Sequence, residues 1–362
     1  MWRLVMSLVL LAGCKNNDSV LDPVHGSATS TPSPTTTAYC RRGMKFTRTT
    51  GVLAPAAGSN LRPANTFSIV ARDPATGDLG VAVQSHWFSV GALVTWAEPG
   101  VGAVATQSFV EPAYGPKGLA LMRDGMAAPD AMAKLVAADP QSAVRQLGFV
   151  DAQGRASAHT GERCIRSAGH HVGNGYTVQA NLMSNDEVVP AMAKAYEAAT
   201  GDLADRMLAA LDAAQGVGGD IRGCQSAAIL VVSGKRSDTP WAEKKLDLRV
   251  EDSGAPLVEL RRLVTLARAY DHMNQGDAAV EKGDMKGAVD HYGAATTMVP
   301  DSVEMIYWYG VALANHDDMK GAMPLLQKAF AIDPAWIELT RRLPAAGLMP
   351  APTAEAIVRD AR

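Results

Sequence analysis

Asp284-Met285-Lys286-Gly287-Ala288 returns 34 residues later as Asp318-Met319-Lys320-Gly321-Ala322, and Pro300 returns as Pro334. A period of this length with Gly at a turn and Pro at its end describes two helices per unit, the Pro stopping the second. A helix pair of this size cannot bury its apolar stripe alone, so successive pairs must stack on one another. Only two units, roughly 267–300 and 301–334, are visible. About three are normally needed for independent stability, so this part is expected to lean on the chain before it.

That preceding chain follows a different period. Thr66 to Ala71 reads as a strand, Asp73-Pro74-Ala75-Thr76-Gly77-Asp78 as a turn, and Leu79 to Val83 as the antiparallel partner. Ala92–Trp96 and Gly102–Thr106, split by Glu98-Pro99-Gly100, suggest a second hairpin. Lys117–Arg123 and Pro129–Ala138 have helical spacing, with Asp139-Pro140 ending the second. Gln146–Asp151 and Ala156–Thr160 suggest another hairpin, Tyr176–Met183 a strand, Pro190–Ala214 one long helix, and Ala227–Ser233 a last strand. Strand pairs followed by helices and more strands imply a sheet-on-sheet core covered by helices. The 362 residues thus favour two folded units.

Residues 1–13 carry Arg3 and the apolar run Leu4–Leu11, which is too short to span a bilayer. Leu11-Ala12-Gly13-Cys14 resembles a bacterial lipobox, so Cys14 is the expected lipidation site and the mature N-terminus. Lys15, rather than Asp, follows it. In a two-membrane cell this resembles sorting to the periplasmic side of the outer membrane. Residues 14–65 are rich in Ser, Thr, Pro, Ala and Gly and read as a tether. A net charge of -3 with no basic run excludes the electrostatic footprint of a nucleic-acid binder. Setting Cys14 aside leaves Cys40, Cys164 and Cys224, of which Cys164 and Cys224 are the pair expected to close. No metal-ligand spacing and no cofactor fingerprint is present; His170-His171 reads as a polar turn.

Thr66-Phe67-Ser68-Ile69-Val70-Ala71, Gly80-Val81-Ala82-Val83, Gly100-Val101-Gly102-Ala103-Val104-Ala105-Thr106-Gln107 and Gly218-Gly219-Asp220-Ile221-Arg222-Gly223-Cys224-Gln225-Ser226 occur in one order over some 185 residues. Together they resemble the bacterial family called domain of unknown function 1028. That resemblance implies an Ntn-hydrolase-like fold with Thr66 at the nucleophile's position. The 34-residue units resemble tetratricopeptide repeats. The expected fold class is α+β: a four-layer αββα Ntn-hydrolase-like sandwich over 66–252, followed by a small all-α tetratricopeptide-like domain over 257–345.

A free N-terminal Thr carries a hydroxyl nucleophile and an α-amine that titrates near about 7.7–8.0, a built-in general base. Thr66 meets that requirement only if the Asn65–Thr66 bond is cut; otherwise it is a β-branched residue opening a buried strand. The resemblance to proteasome-type Ntn enzymes puts Gln84 and Ser85 where an orienting acid would stand, and Trp96 where those enzymes carry Lys. Asn181 is the candidate oxyanion donor, or a turn-forming Asn. Asp220 and Arg222 would bind a charged substrate end or pair with each other, and Ser226 would contact the amine. His86 and His159, near strand ends, read as structural histidines. Tyr307-Trp308-Tyr309 cannot all face one way on a helix, so they serve domain docking or line a peptide groove.

The expected function is that of an exported Ntn-type amidohydrolase, cleaving an amide bond of a small molecule, peptide or cell-wall fragment without a cofactor. The alternative is a non-catalytic, lipid-anchored binding protein whose repeats recruit a protein partner. Self-association stays open.

Overall fold

The computed structural model describes residues 66–360. Ten strands form two antiparallel sheets. They are β1 (Thr66–Arg72), β2 (Leu79–Ser85), β3 (Thr95–Glu98), β4 (Gly102–Ser108), β5 (Arg145–Asp151), β6 (Ala156–Thr160), β7 (Gly169–Gly173), β8 (Tyr176–Ala180), β9 (Ser226–Val232) and β10 (Lys244–Val250). One sheet has the order β10-β9-β2-β1-β8-β7 and the other β3-β4-β5-β6. β1 is therefore central, flanked by β2 and β8.

Alternation along β1 sends Phe67, Ile69 and Ala71 to one face, and Thr66, Ser68 and Val70 to the other. The first set packs under α4 (Val188–Ala198) and α5 (Leu203–Gly216) with Met192, Met207 and Leu211. Val70 meets Val81, Val83, Ala103, Ala105 and Val150 between the sheets. On the outer face of the second sheet, Val104, Leu147 and Phe149 pack against α2 (Tyr114–Arg123) and α3 (Ala128–Ala138).

The expected long helix over 190–214 is two helices. Gly201 takes φ +99° and Asp202 caps α5 through the Asp205 amide, so the Ala-rich run breaks where an N-cap and a left-handed residue coincide. Ala92–Trp96 is also divided. Gly91–Val94 forms a short helix, α1, and the strand starts at Thr95.

The C-terminal region is helical: α6 (Pro256–Glu281), α7 (Met285–Met298), α8 (Val303–Asn315), α9 (Met319–Ile332), α10 (Ala335–Arg342) and α11 (Ala351–Asp360). Asp284 and Asp318, at equivalent places in the sequence repeat, each accept a hydrogen bond from the amide three residues on and so cap α7 and α9. α6 joins the two parts. Its first turns bury Leu257, Leu260 and Val264 with the α5 side of the large sheet, and its later turns bury Ala269 and Met273 with α7 and α8. Arg268 pairs with Asp202 at 2.7 Å and Asp205 at 2.9 Å, which pins the helix to the start of α5. The helical region runs beyond residue 345 because α10 and α11 pack on α8 and α9 through Leu343, Met349, Ala354 and Ile357.

Tyr307 is fully buried in that last cluster. Its hydroxyl lies 3.0 Å from Thr340 Oγ1 and its ring 4.7 Å from that of Trp336. This aromatic anchors helix to helix. No helix among the described residues is long and apolar enough to cross a membrane. Cys14, the tether and Asn65 lie outside the described residues.

Candidate functional site

Thr66 opens β1 and is paired in register with Ser85, which closes β2. Both point between the sheets, with Thr66 Oγ1 3.3 Å from Ser85 Oγ. Beyond the end of β8, the Asn181 amide donates to the Thr66 carbonyl at 3.1 Å. The same carbonyl accepts from Gln107 Nε2 at 3.2 Å. Thr66, Ser85 and Asn181 thus meet where the central strand begins, and all three are buried.

Below them lies a buried amide network. Gln146 Nε2 faces the carbonyls of Ala180 at 2.8 Å and Gly169 at 3.1 Å. Two carbonyl acceptors require the nitrogen on that side, so Gln146 Oε1 must point the other way. There it accepts from Gln107 Nε2 and from Asn181 Nδ2, both at 2.8 Å. Asn181 is oriented in turn: one Nδ2 hydrogen is committed to Gln146, and Oδ1 is buried with no hydrogen-bond partner. Ser68 continues the network, donating to Gln107 Oε1 at 2.7 Å and accepting from Gln179 Nε2 at 2.6 Å. Gly148 on β5 allows this closeness. A Cβ there would stand 2.4 Å from Gln179 Oε1 and 2.5 Å from Thr177 Oγ1.

Gln84 does not join the group. It is the register partner of Phe67 and so projects from the opposite face of β2 to Ser85 and Thr66. Both of its side-chain amide atoms are buried without a hydrogen-bond partner. Trp96 is also directed elsewhere, its indole donating to the Leu93 carbonyl at 3.0 Å and its ring lying against Gly115 of α2.

Of the expected substrate-binding residues, Asp220 and Arg222 pair with each other. Asp220 accepts from the Arg222 amide at 2.9 Å and from its guanidinium at 3.0 and 2.7 Å, and also from the His86 amide at 3.2 Å. Its carboxylate is occupied in fastening the Gly218–Gly223 loop to the end of β2. Ser226 staples the segment after β2, donating to the Trp87 carbonyl and accepting from the Val90 amide at 3.1 Å. His159 Nε2 contacts the Ser142 carbonyl at 2.9 Å, a structural contact.

The expected Cys164–Cys224 disulfide is not formed. Cys164 is a free thiol 3.3 Å from the Arg145 carbonyl, and burial pushes its pKa up. Cys224 is disulfide-bonded, though not to Cys164.

Backbone strain marks the same end of the sheets. Ser89, Ser108, Ser167 and Leu182 have φ of 56°, 70°, 51° and 57°. They follow β2, end β4, precede β7 and follow Asn181, so all four lie at the end of the sheets where β1 starts; Leu182 adjoins Asn181, whereas the Ser89 amide bonds the Glu251 carbonyl beyond β10. At the opposite end the positive φ angles belong to Gly77, Gly100, Gly154 and Gly175, where they carry little steric penalty. Thr66, Ser85 and Asn181, named from the sequence as candidates, are brought together by the structure; Gln107, Gln146 and Gln179 were not named. The available signal was a glutamine among the apolar residues of each of three strands, β4, β5 and β8.

No curated protein matches the chain. Among solved structures, the crystal structure of protein SPO2555 from Silicibacter pomeroyi matches with a TM-score of 0.51 and 31% identity, covering 56% of this chain and 86% of that one. The sequence pattern of a family of unknown function, DUF1028, matches residues 66–260. This stretch runs from the first residue of β1 into the first turns of α6, where Leu257 and Leu260 still pack with the sheet. The match takes in more than half of the sequence, and the chain belongs to the DUF1028 family.

Proposed function

We propose that the protein is an exported Ntn-type amidohydrolase in which Thr66, freed by cleavage of the Asn65–Thr66 bond, is the nucleophile. The observation that carries this reading is the meeting of Thr66, Ser85 and Asn181 at the buried start of the central strand, at the end of the sheets where four non-glycine residues are left-handed. Each costs roughly 1 kcal/mol or more, and such strain collects where a site is held in a working geometry.

Cleavage adds water across the Asn65–Thr66 amide, leaving a carboxylate on Asn65 and an α-amine on Thr66. That amine takes the Thr66 hydroxyl proton while Oγ1 attacks a substrate amide carbonyl. The tetrahedral intermediate collapses to an ester on Thr66 and releases the amine product, and water then hydrolyses the ester. Ser85 orients the hydroxyl, and the uncommitted Nδ2 hydrogen of Asn181 is the donor for the developing oxyanion. In this reading the two sheets and their helices are the αββα layers of an Ntn fold. The α6–α11 pairs are tetratricopeptide-like and serve a protein partner, and Cys14 anchors the chain by lipid on the periplasmic side of the outer membrane. The substrate is an amide of a small molecule, peptide or cell-wall fragment.

The test is N-terminal sequencing and intact-mass analysis of the natively purified full-length protein. A chain beginning at Thr66 supports the mechanism. A chain continuous through Asn65–Thr66 favours the second reading, a non-catalytic binding protein.

A further inference from the structure

We propose that His272 and His291 form a binding site for a divalent ion of the zinc class, bridging α6 and α7. The site is distinct from the Thr66 end of the sheets and does not depend on any activity there.

The geometry begins with Gly276. A Cβ at that position would stand 2.6 Å from the Tyr292 ring, so α6 and α7 approach more closely here than a side chain would permit. Tyr292 fixes the register by donating from its hydroxyl to Asp277 Oδ1 at 2.6 Å. One turn earlier on α6 is His272, and next to Tyr292 on α7 is His291. Their Nδ1 atoms lie 3.2 Å apart, with ring centroids 5.5 Å apart and planes tilted by 39°.

Zinc–nitrogen bonds of roughly 2.0–2.1 Å at a tetrahedral angle separate two ligand atoms by about 3.3–3.4 Å. The Nδ1 pair is therefore set close to that bite. Both rings sit on regular helices, which hold ligand geometry better than loops. Both are half-buried, which leaves an open side where water completes the coordination.

Without metal, a 3.2 Å contact between two imidazole nitrogens requires one Nδ1 to carry a proton and the other a lone pair. Binding needs both lone pairs at Nδ1. The shared proton moves to Nε2 of its own ring through solvent, so a neutral pair takes up the ion with no net proton release. Imidazole donors favour Zn²⁺, Ni²⁺ and Cu²⁺ over Mg²⁺ and Ca²⁺, which prefer oxygen. Among the described residues no group of three or more His, Cys, Asp or Glu could hold a metal ion, so the pair would bind with two protein ligands.

The test uses full-length protein stripped with chelator and dialysed, titrated with ZnCl₂ by calorimetry and followed by thermal unfolding. Wild type should bind zinc and unfold at a higher temperature with zinc than with MgCl₂. His272→Ala and His291→Gln should each lose one equivalent, or weaken it at least about tenfold, and lose the thermal shift. His316→Ala should retain both. The sequence holds eight histidines, so binding by wild type alone does not suffice. Glutamine keeps the size and polarity of the 291 side chain, which separates loss of a ligand from loss of the helix pair. No zinc bound by wild type, or equal stoichiometry and affinity in both variants, overturns the site.

Discussion

Asn181 holds Thr66 by its backbone and is itself held by its side chain: its amide N–H meets the Thr66 carbonyl at 3.1 Å, while its Nδ2 is directed to Gln146 at 2.8 Å. The start of the central strand is therefore fixed from the neighbouring strand and from the sheet beneath it. Thr66 Oγ1, near Ser85, is the one nucleophilic atom in this frame that the proposed chemistry uses. Replacing it should separate stability from reactivity. Thr66→Val keeps the shape and removes one hydroxyl, so the unfolding free energy should fall by only about 1 kcal/mol while Asn65–Thr66 cleavage and any amide turnover vanish. Thr66→Ser should keep both. Urea unfolding and mass analysis of the two variants check this, and turnover retained in the valine variant would move the chemistry to another residue.

A second prediction concerns pH. Gln146 Nε2 donates to Thr160 Oγ1 at 2.9 Å, so the Thr160 hydroxyl is left to donate to His170 Nδ1, also 2.9 Å away. This needs an unprotonated Nδ1. Partial desolvation of this exposed ring, then the neighbouring His159 and His171, lower the His170 pKa below its ordinary value of 6.5. A group whose folded pKa is depressed contributes stability above its unfolded value and loses it as pH falls through the folded value. Acidification below about pH 6.5 should thus destabilise wild type more than His170→Gln. Urea midpoints at pH 7.5 and 5.0 measure the difference, and parallel losses in the two proteins would refute the assignment.

The hairpin of β1 and β2 was legible because β-branched residues surround a turn rich in Asp, Pro and Gly, and Thr66 opens that hairpin. β7 and β10 were not. Gly169-His170-His171-Val172-Gly173 and Lys244-Lys245-Leu246-Asp247-Leu248-Arg249-Val250 are sheet-edge strands, and their polar residues carry little of the apolar signal that marks a strand. The amide network escaped notice for a related reason. In a strand that alternates, Gln107, Gln146 and Gln179 read as solvent-facing, and only the stacking of one sheet on the other turns those positions inward. Gln84 and Ser85 show the limit more sharply: the resemblance put both at one position beside Thr66, and the pleat sends them to opposite faces.

The cysteines give a third prediction, in which the sequence expectation and the structure part company. Cys164 is a half-buried free thiol with a raised pKa, and Cys224 is in a disulfide. In a peptide map prepared without reduction, Cys164 should be alkylated only once the protein is unfolded, and Cys224 only after reductant is added. A linked pair of peptides carrying Cys164 and Cys224 would contradict the structure. The same map identifies the partner of Cys224 directly.

Two buried glutamines should respond to the same substitution with opposite sign. Gln146 Nε2 faces the Ala180 and Gly169 carbonyls and Thr160 Oγ1, which share its two hydrogens, and its Oε1 accepts from the amides of Gln107 and Asn181. Gln146→Leu deprives the Ala180 and Gly169 carbonyls of this donor and leaves the buried Asn181 Nδ2 without its acceptor, and a loss of about 3–5 kcal/mol is expected because each such group carries its own desolvation penalty. Gln84 has neither amide atom hydrogen-bonded and lies on the face of β2 that packs under α5. Gln84→Leu removes a buried polar group that gains nothing from its surroundings, so the protein should be more stable by about 1–2 kcal/mol. Denaturant unfolding of the two variants side by side decides the matter. A Gln84→Leu protein less stable than wild type would mean that this amide has a partner, such as a bound water, which its replacement expels.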